Sequence, residues 1–273
     1  MNALPASTTS HSAWHAYAKE ARYEFIRLWR TPAFSLPVLL FPAMFYLLFG
    51  VLMSRGNAHA ATFLLANYGV FGVMGVALFG FGVVVAEDRE QGLLTLKRAL
   101  PMPRGAYLVA KMSMAALFAA IMSLLLMLLA AATLLGGVRL SPALLPLLLA
   151  AAFAGVSLAP LQWLALFAIN VIGVLPFAAI GLWLGAHFSG SAAVAVINMV
   201  YLPMAFLSGL WMPLSMLPGV FTTLAPLWPA WHLSQTALKV IGADAGWPLA
   251  LHVGILFAVT TVFFVLALRR LAR

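Results

Sequence analysis

Long apolar runs alternate with short polar breaks along almost the whole chain. The runs cover about Phe34–Met53, Thr62–Ala86, Met112–Leu135, Leu161–Phe188, Ala192–Leu210 and Trp247–Leu268. A helix needs roughly 20 apolar residues to cross the hydrocarbon core of a bilayer, so each run predicts a transmembrane helix. Pro32, Pro37 and Pro42 crowd the first run and predict a kinked start; Pro176 sits inside the fourth. Gly69, Gly72, Gly75, Gly80 and Gly82 line the second. Glycine at that density serves close helix packing or a hinge, and the pattern does not separate the two.

Three further segments surround the spans. Residues 1–12 are rich in Ser, Thr and Ala and read as a disordered tail, leaving 13–273 as one domain. From Ala13 to Arg30, Trp14, Ala18, Ala21, Phe25 and Leu28 recur at helical spacing, with Lys19, Arg22, Arg27 and Arg30 off that stripe. This predicts an amphipathic helix lying in the membrane interface, an ordinary solvated helix being the plainer alternative. Ala143–Leu158 is apolar but short and punctuated by Pro142, Pro146, Gly155 and Pro160. It reads as an outer re-entrant or interfacial helix. The stretch 208–246 is apolar too, yet Pro213, Pro218, Pro226 and Pro229 break it, so it is an outer hairpin and not a span.

Composition agrees with the pattern. Hydrophobic residues make up 64% of the 273 positions, charged ones 8%, and mean hydropathy is +1.06. That places the chain among polytopic membrane proteins. The net charge of +9 follows the apolar runs and marks topology, not nucleic-acid binding. With six spans and both ends inside, all but Arg55, Arg139 and Lys239 of the 15 Lys and Arg residues fall on the inner side. Trp211, Trp228, Trp231 and Trp247 then gather at the outer face. The first 30 residues are polar or amphipathic, so no cleaved leader is expected.

Catalytic chemistry finds little footing. No cysteine is present, no lysine follows a glycine as in a phosphate-binding loop, and no Gly-x-Ser-x-Gly elbow occurs. His187, His232 and His252 are far apart in sequence, and Asp244 is the one acidic residue after Glu90. No catalytic residue, metal site or resident cofactor is predicted. The spans as drawn contain no Asp, Glu, Lys or Arg, which argues against ion-coupled transport. Asn67, Gln162, Asn170 and Asn198 are the polar candidates for substrate contact, with interhelical hydrogen bonding as the alternative. A path so poor in charge suits an amphipathic or hydrophobic substrate better than a polysaccharide.

The exception to all this apolarity is 87–111, which holds Glu87, Asp88 and Glu90 together with Arg89, Lys97, Arg98, Arg104 and Lys111. Such an island must sit in water or at the interface. Leu93, Leu96 and Leu100 share one helical face within it, flanked by charge, and Pro101 and Pro103 end the helix. A short helix with an apolar ridge can dock into a groove of a soluble partner; a loop that only fixes topology is the alternative.

The run Glu87 to Gly92, with Leu93–Leu100, Pro101, Pro103 and Lys111, resembles the cytoplasmic stretch of ABC-2 type transporter permeases. So do the blocks Leu175 to Gly181, Tyr201 to Gly209, Pro213 to Pro218 and Ala225 to His232. The resemblance implies an exporter of two six-span subunits, identical or different, and two separate ATP-binding-cassette subunits carrying ATP and Mg²⁺. It implies an all-α fold in a bacterial cytoplasmic membrane, in contact with lipid, with both termini cytoplasmic. The coupling helix that seats in the ATPase would be drawn from Glu87, Asp88, Arg89, Glu90, Gly92, Leu93, Leu96, Lys97, Leu100, Pro101 and Pro103. Leu207, Ser208, Gly209, Pro213 and Pro218 would belong to an outer gate. Against this stand a lone carrier or channel, and a membrane anchor or sensor that docks a soluble regulator through the same island.

Overall fold

Each of the six apolar runs is helical in the computed structural model, which describes residues 13–54, 57–99, 106–134, 156 and 158–271. The helices long and apolar enough to cross a membrane are Pro32–Leu52, Ala58–Glu90, Tyr107–Ala131, Pro160–His187, Gly190–Leu207 and Leu249–Leu271. No strand occurs among the described residues, and the fold is an all-α polytopic membrane bundle. The expected helix at 143–158 falls outside the described residues save for Val156 and Leu158.

In chain order, the N-terminal helix α1 is Ala13–Trp29. The first span is α2 (Pro32–Phe45), running on as widened π-type turns through Tyr46–Leu52. The backbone stays helical past Pro37 and Pro42. The second span begins at α3 (Ala58–Ala77), where the Asn57 side chain accepts a bond from the Ala60 N–H at 3.1 Å. It continues through π-type turns at Leu78–Val83 into α4 (Val84–Glu90). The short α5 (Leu93–Ala99) precedes the third span, α6 (Ala106–Leu134).

The fourth span is two helices, α7 (Pro160–Ile172) and α8 (Val174–His187). The junction at Gly173 has a local cause. A proline ring clashes with the carbonyl four residues earlier, and for Pro176 that residue is Ile172. The fifth span is α9 (Gly190–Leu207). Two helices, α10 (Gly219–Leu224) and α11 (Pro229–Val240), fold over one end of the bundle before the last span, α12 (Leu249–Leu271).

The second span is the axis. Its apolar window is 89% buried, against 6% for the last span. Glycine makes that central position possible by bringing backbones together. A Cβ on Gly185 would lie 2.5 Å from the Gly82 carbonyl oxygen, and one on Gly181 would lie 3.1 Å from those of Ala77 and Leu78. The second span's own glycines serve packing on several sides: Gly82 lies at this α8 seam, while a Cβ on Gly69, Gly72 or Gly75 would meet Asn170 of α7, Met122 of α6 and Tyr201 of α9 respectively. On the opposite flank α1 lies along α6, with Phe25 and Trp29 against Phe118 at ring separations of 5.2 and 6.1 Å.

The segment between the fifth and last spans is tied down by polar contacts. Ser234 Oγ of α11 donates to Asn67 Oδ1 at 2.6 Å, and Gln162 Nε2 donates to the Val240 carbonyl at 2.9 Å. His232 and His252 meet through their Nδ1 atoms at 2.9 Å, and His232 Nε2 lies 2.9 Å from the Pro226 carbonyl. A carbonyl only accepts, so His232 carries its proton on Nε2 and takes the His252 Nδ1–H on its bare Nδ1. Burial lowers the His232 pKa, more than the Pro226 carbonyl raises it. The folded state thus disfavours the extra proton, and this anchor weakens as pH falls below the ordinary histidine value of about 6.5. Hydrogen exchange in α11 is expected to speed up between pH 7 and pH 5, and His232→Gln to remove that acid-induced step.

Candidate functional site

The charged turn at the end of the second span grips four other parts of the molecule. Asp88 points inward and has no exposed surface. Its Oδ1 accepts from Arg27 of α1 at 2.7 Å, and its Oδ2 accepts from the Tyr107 hydroxyl at 2.9 Å and pairs with Lys111 Nζ of α6 at 3.0 Å. Lys111 is equally buried and also pairs with Glu24 of α1, which lies 3.7 Å from Arg27. Among the described residues two acids and two bases meet here, and pairing is the condition for charges to persist out of water. Burial works against the Arg27 cation, yet its hydrogen bond and charge contact with Asp88 outweigh that and hold its pKa above the ordinary value.

Arg89 and Glu90 read the turn between the fourth and fifth spans. Arg89 donates to the carbonyls of Ala186 and Phe188 at the C-terminal end of α8, the latter at 2.8 Å. Glu90 accepts the Gly190 N–H at 2.9 Å, at the first turn of α9. A cation at a helix C-terminus and an anion at the next helix N-terminus both oppose the local dipole. Hydrogen bonds to charged groups contribute about 1.5–3 kcal/mol each, so the turn is held on both sides.

The helix then breaks. Gly92 adopts φ +72°, a left-handed conformation that suits glycine, and α5 starts beyond it. Leu93 is half-buried, while Leu96 keeps 58% of its surface exposed although apolar. Lys97 lies in α5; Leu100, Pro101 and Pro103 are outside the described residues. The stretch expected to act as one coupling unit is thus divided. Asp88, Arg89 and Glu90 face the protein's own helices, and the exposed ridge begins at Leu93.

A groove of about 650 Å³ opens between α2, the second span and α9. Arg27 and Glu87 stand at one end and Trp211 at the other, with Phe34, Phe45, Phe71, Phe79 and Tyr201 among its walls. Phe71 and Tyr201 stack at 4.9 Å, and the Tyr201 hydroxyl donates to the Phe71 carbonyl at 3.3 Å. Of the four polar candidates only Asn198 lines this groove. Asn67 bonds Ser234, Asn170 Nδ2 donates to Ser123 Oγ at 3.1 Å, and Gln162 caps α7 through the Ala159 N–H at 2.8 Å. Those three tie helices together.

At the Trp211 end of the groove α9 stops at Leu207 and the chain turns through Gly209 at φ +73°. Ser208 is buried there, and Pro213 and Pro218 start the short helical turns that follow. Trp211 closes the groove, its carbonyl accepting from the Tyr68 hydroxyl at 3.1 Å.

Glu24, Arg27 and Tyr107 were not among the sequence candidates, and Lys111 was read only as part of the island. Hydropathy alone ends the second span at Ala86 and starts the third at Met112, two residues short of Asp88 and one residue past Lys111. A carboxylate on α1 three residues before Arg27, and a lone lysine opening an apolar run, are the signals that point to them. Lys111→Met is expected to destabilise the bundle by about 3–5 kcal/mol by stranding buried carboxylates. Adding Asp88→Leu is expected to restore more than half of that, read as thermal unfolding in detergent; equal stability of single and double variants would show the pair uncoupled.

The chain was compared with known proteins. The profile of the family described as ABC-2 family transporter protein matches residues 51–269. YvfS of Bacillus subtilis (strain 168), whose name proposes a transport permease, is 25% identical over 254 residues, covering 91% of this chain and 94% of that one. The family match takes in the charged turn, α5, both walls of the groove formed by the second span and α9, and the helices α10 and α11. This chain belongs to the ABC-2 family of transporter proteins.

Proposed function

We propose that this chain is the permease subunit of an ATP-driven exporter that moves an amphipathic or hydrophobic small molecule, or a lipid, out of a bacterial cytoplasm. ATP and Mg²⁺ are held by a separate ATPase subunit in this reading, and two permease subunits, identical or different, complete the transporter in the cytoplasmic membrane. Membership of the ABC-2 family supports a membrane permease subunit of an ABC transporter. The observation that carries the rest is that one charged turn joins the exposed helix α5 to the groove. Arg27 both bonds Asp88 and lines the groove, and Glu90 holds the first turn of α9, the opposite wall.

The mechanism follows from that linkage. Leu93 and Leu96 of α5 seat in the ATPase on the cytoplasmic side, where both chain ends also lie. Closure of the ATPase dimer on ATP displaces α5. Because the turn before Gly92 is fixed to α1, α6, α8 and α9, α5 cannot move without carrying the groove walls. The apolar lining favours solutes that prefer it to water, and the outer hairpin around Ser208 and Gly209 yields to release them.

Gly92→Val together with Glu90→Gln strains the left-handed turn and frees α9. This variant is expected to insert normally, but to lower permease-stimulated ATP hydrolysis by the co-purified ATPase at least tenfold. Full stimulation would remove the coupling role, and recovery of this chain alone in mild detergent would favour a lone carrier. Because the chain has no cysteine, single cysteines at Gln91 and Met216 report sidedness. They are expected to react with impermeant maleimide from the cytoplasmic and the external side respectively.

A further inference from the structure

The groove carries an unbalanced charge. Among the described residues, Arg27 and Glu87 are the two side chains with full charge in its walls. Arg27 is already matched by Asp88 and Glu24, within a cluster where Lys111 completes the neutrality. Glu87 is not matched. It is half-buried, and among the described residues it has neither an ion pair nor a hydrogen bond.

Its position is built. A Cβ on Gly190 would lie 3.0 Å from Glu87 Cγ, so the glycine that opens α9 leaves room for the Glu87 stem. The N-terminal end of a helix favours an anion nearby, which holds the carboxylate where it faces the groove. Beyond it the walls are aromatic, with Phe34, Phe79 and Tyr201 among them. Aromatic faces attract cations as well as apolar groups.

We infer that this groove takes a cationic amphiphile, its positive headgroup paired with Glu87 and its apolar body lying among the groove aromatics. This rests on the reading of the groove as the substrate path and names the chemistry of what enters it. A cation satisfies the carboxylate and gains the ring faces, an anion meets like charge, and a neutral solute leaves Glu87 unpaired. The headgroup belongs to a lipophilic amine, phosphonium or quaternary ammonium, whether of a lipid or of a free small molecule.

The test uses two probes of one shape and opposite charge, tetraphenylphosphonium and tetraphenylborate. The purified full chain is placed in phosphatidylcholine nanodiscs, and bound probe is measured by equilibrium dialysis against empty discs. Wild type is expected to bind the phosphonium at least tenfold more tightly than the borate. Glu87→Gln is expected to lower phosphonium affinity about tenfold and leave the borate unchanged, while Glu87→Asp keeps the preference. Leu202→Trp, which fills the groove and retains Glu87, is expected to abolish binding of the phosphonium. Wild-type preference for the borate, or a phosphonium preference that survives Glu87→Gln, would overturn the inference. So would a wild-type chain that binds neither probe but loses a stable dimer on Leu202→Trp, since a second copy would then occupy the groove. No ATPase is present in this assay, so its failure leaves the coupling experiments above to decide the transport reading separately.

Discussion

A carboxylate without exposed surface must find its charge balance inside the protein, and Asp88 governs this structure for that reason. Its partners come from α1 and α6, and its own helix is the central second span. An uncompensated buried charge costs several kcal/mol, so α1 cannot leave the bundle without exposing or stranding this cluster. The N-terminal helix, which by composition could lie freely at a membrane surface, is thereby made a structural part of the transport domain. Phe25 and Trp29 against Phe118 add apolar contact to the same seam.

The neighbouring charges extend the same logic. Arg89 and Glu90 satisfy backbone groups left open where one helix ends and the next begins. Four successive residues of one turn, Glu87 to Glu90, thus address four surroundings: the groove, α1 with α6, the end of α8, and the start of α9. Helical geometry explains how, since successive side chains point about 100° apart around the axis. A compact run of alternating charge at the end of a buried helix becomes a hub because three of its four side chains meet a partner on another element.

Groove and hub share their walls, and this connects packing with function. The second span packs backbone to backbone against α8 through Gly82, Gly181 and Gly185 on one side. On another it offers Phe71, Gly75 and Phe79 to the groove. A helix so nearly enclosed is held along its whole length, because close-packed interiors deform little. The exposed Leu96 lies just beyond the left-handed Gly92, where the rigid helix stops and a separate one begins.

The six spans, the absence of a span in 208–246, the all-α class and the break before α5 were legible in the chain. Hydropathy is an additive property of a segment, and a bilayer imposes one length on all of them. Pro176 even marked the fourth span's junction, because its clash is local. The roles of individual polar residues were not legible. Asn67, Asn170 and Gln162 look alike in sequence to Asn198, yet only Asn198 reaches the groove. Which face of a helix meets a neighbour depends on helices more than a hundred residues away, as the Ser234–Asn67 bond illustrates. The charged turn shows the same division. Its composition required a polar setting, but water, a partner protein and the chain's own helices all meet that requirement. Only the tertiary arrangement buried Asp88, set Arg89 and Glu90 against the turn between α8 and α9, and left Glu87 facing an apolar groove.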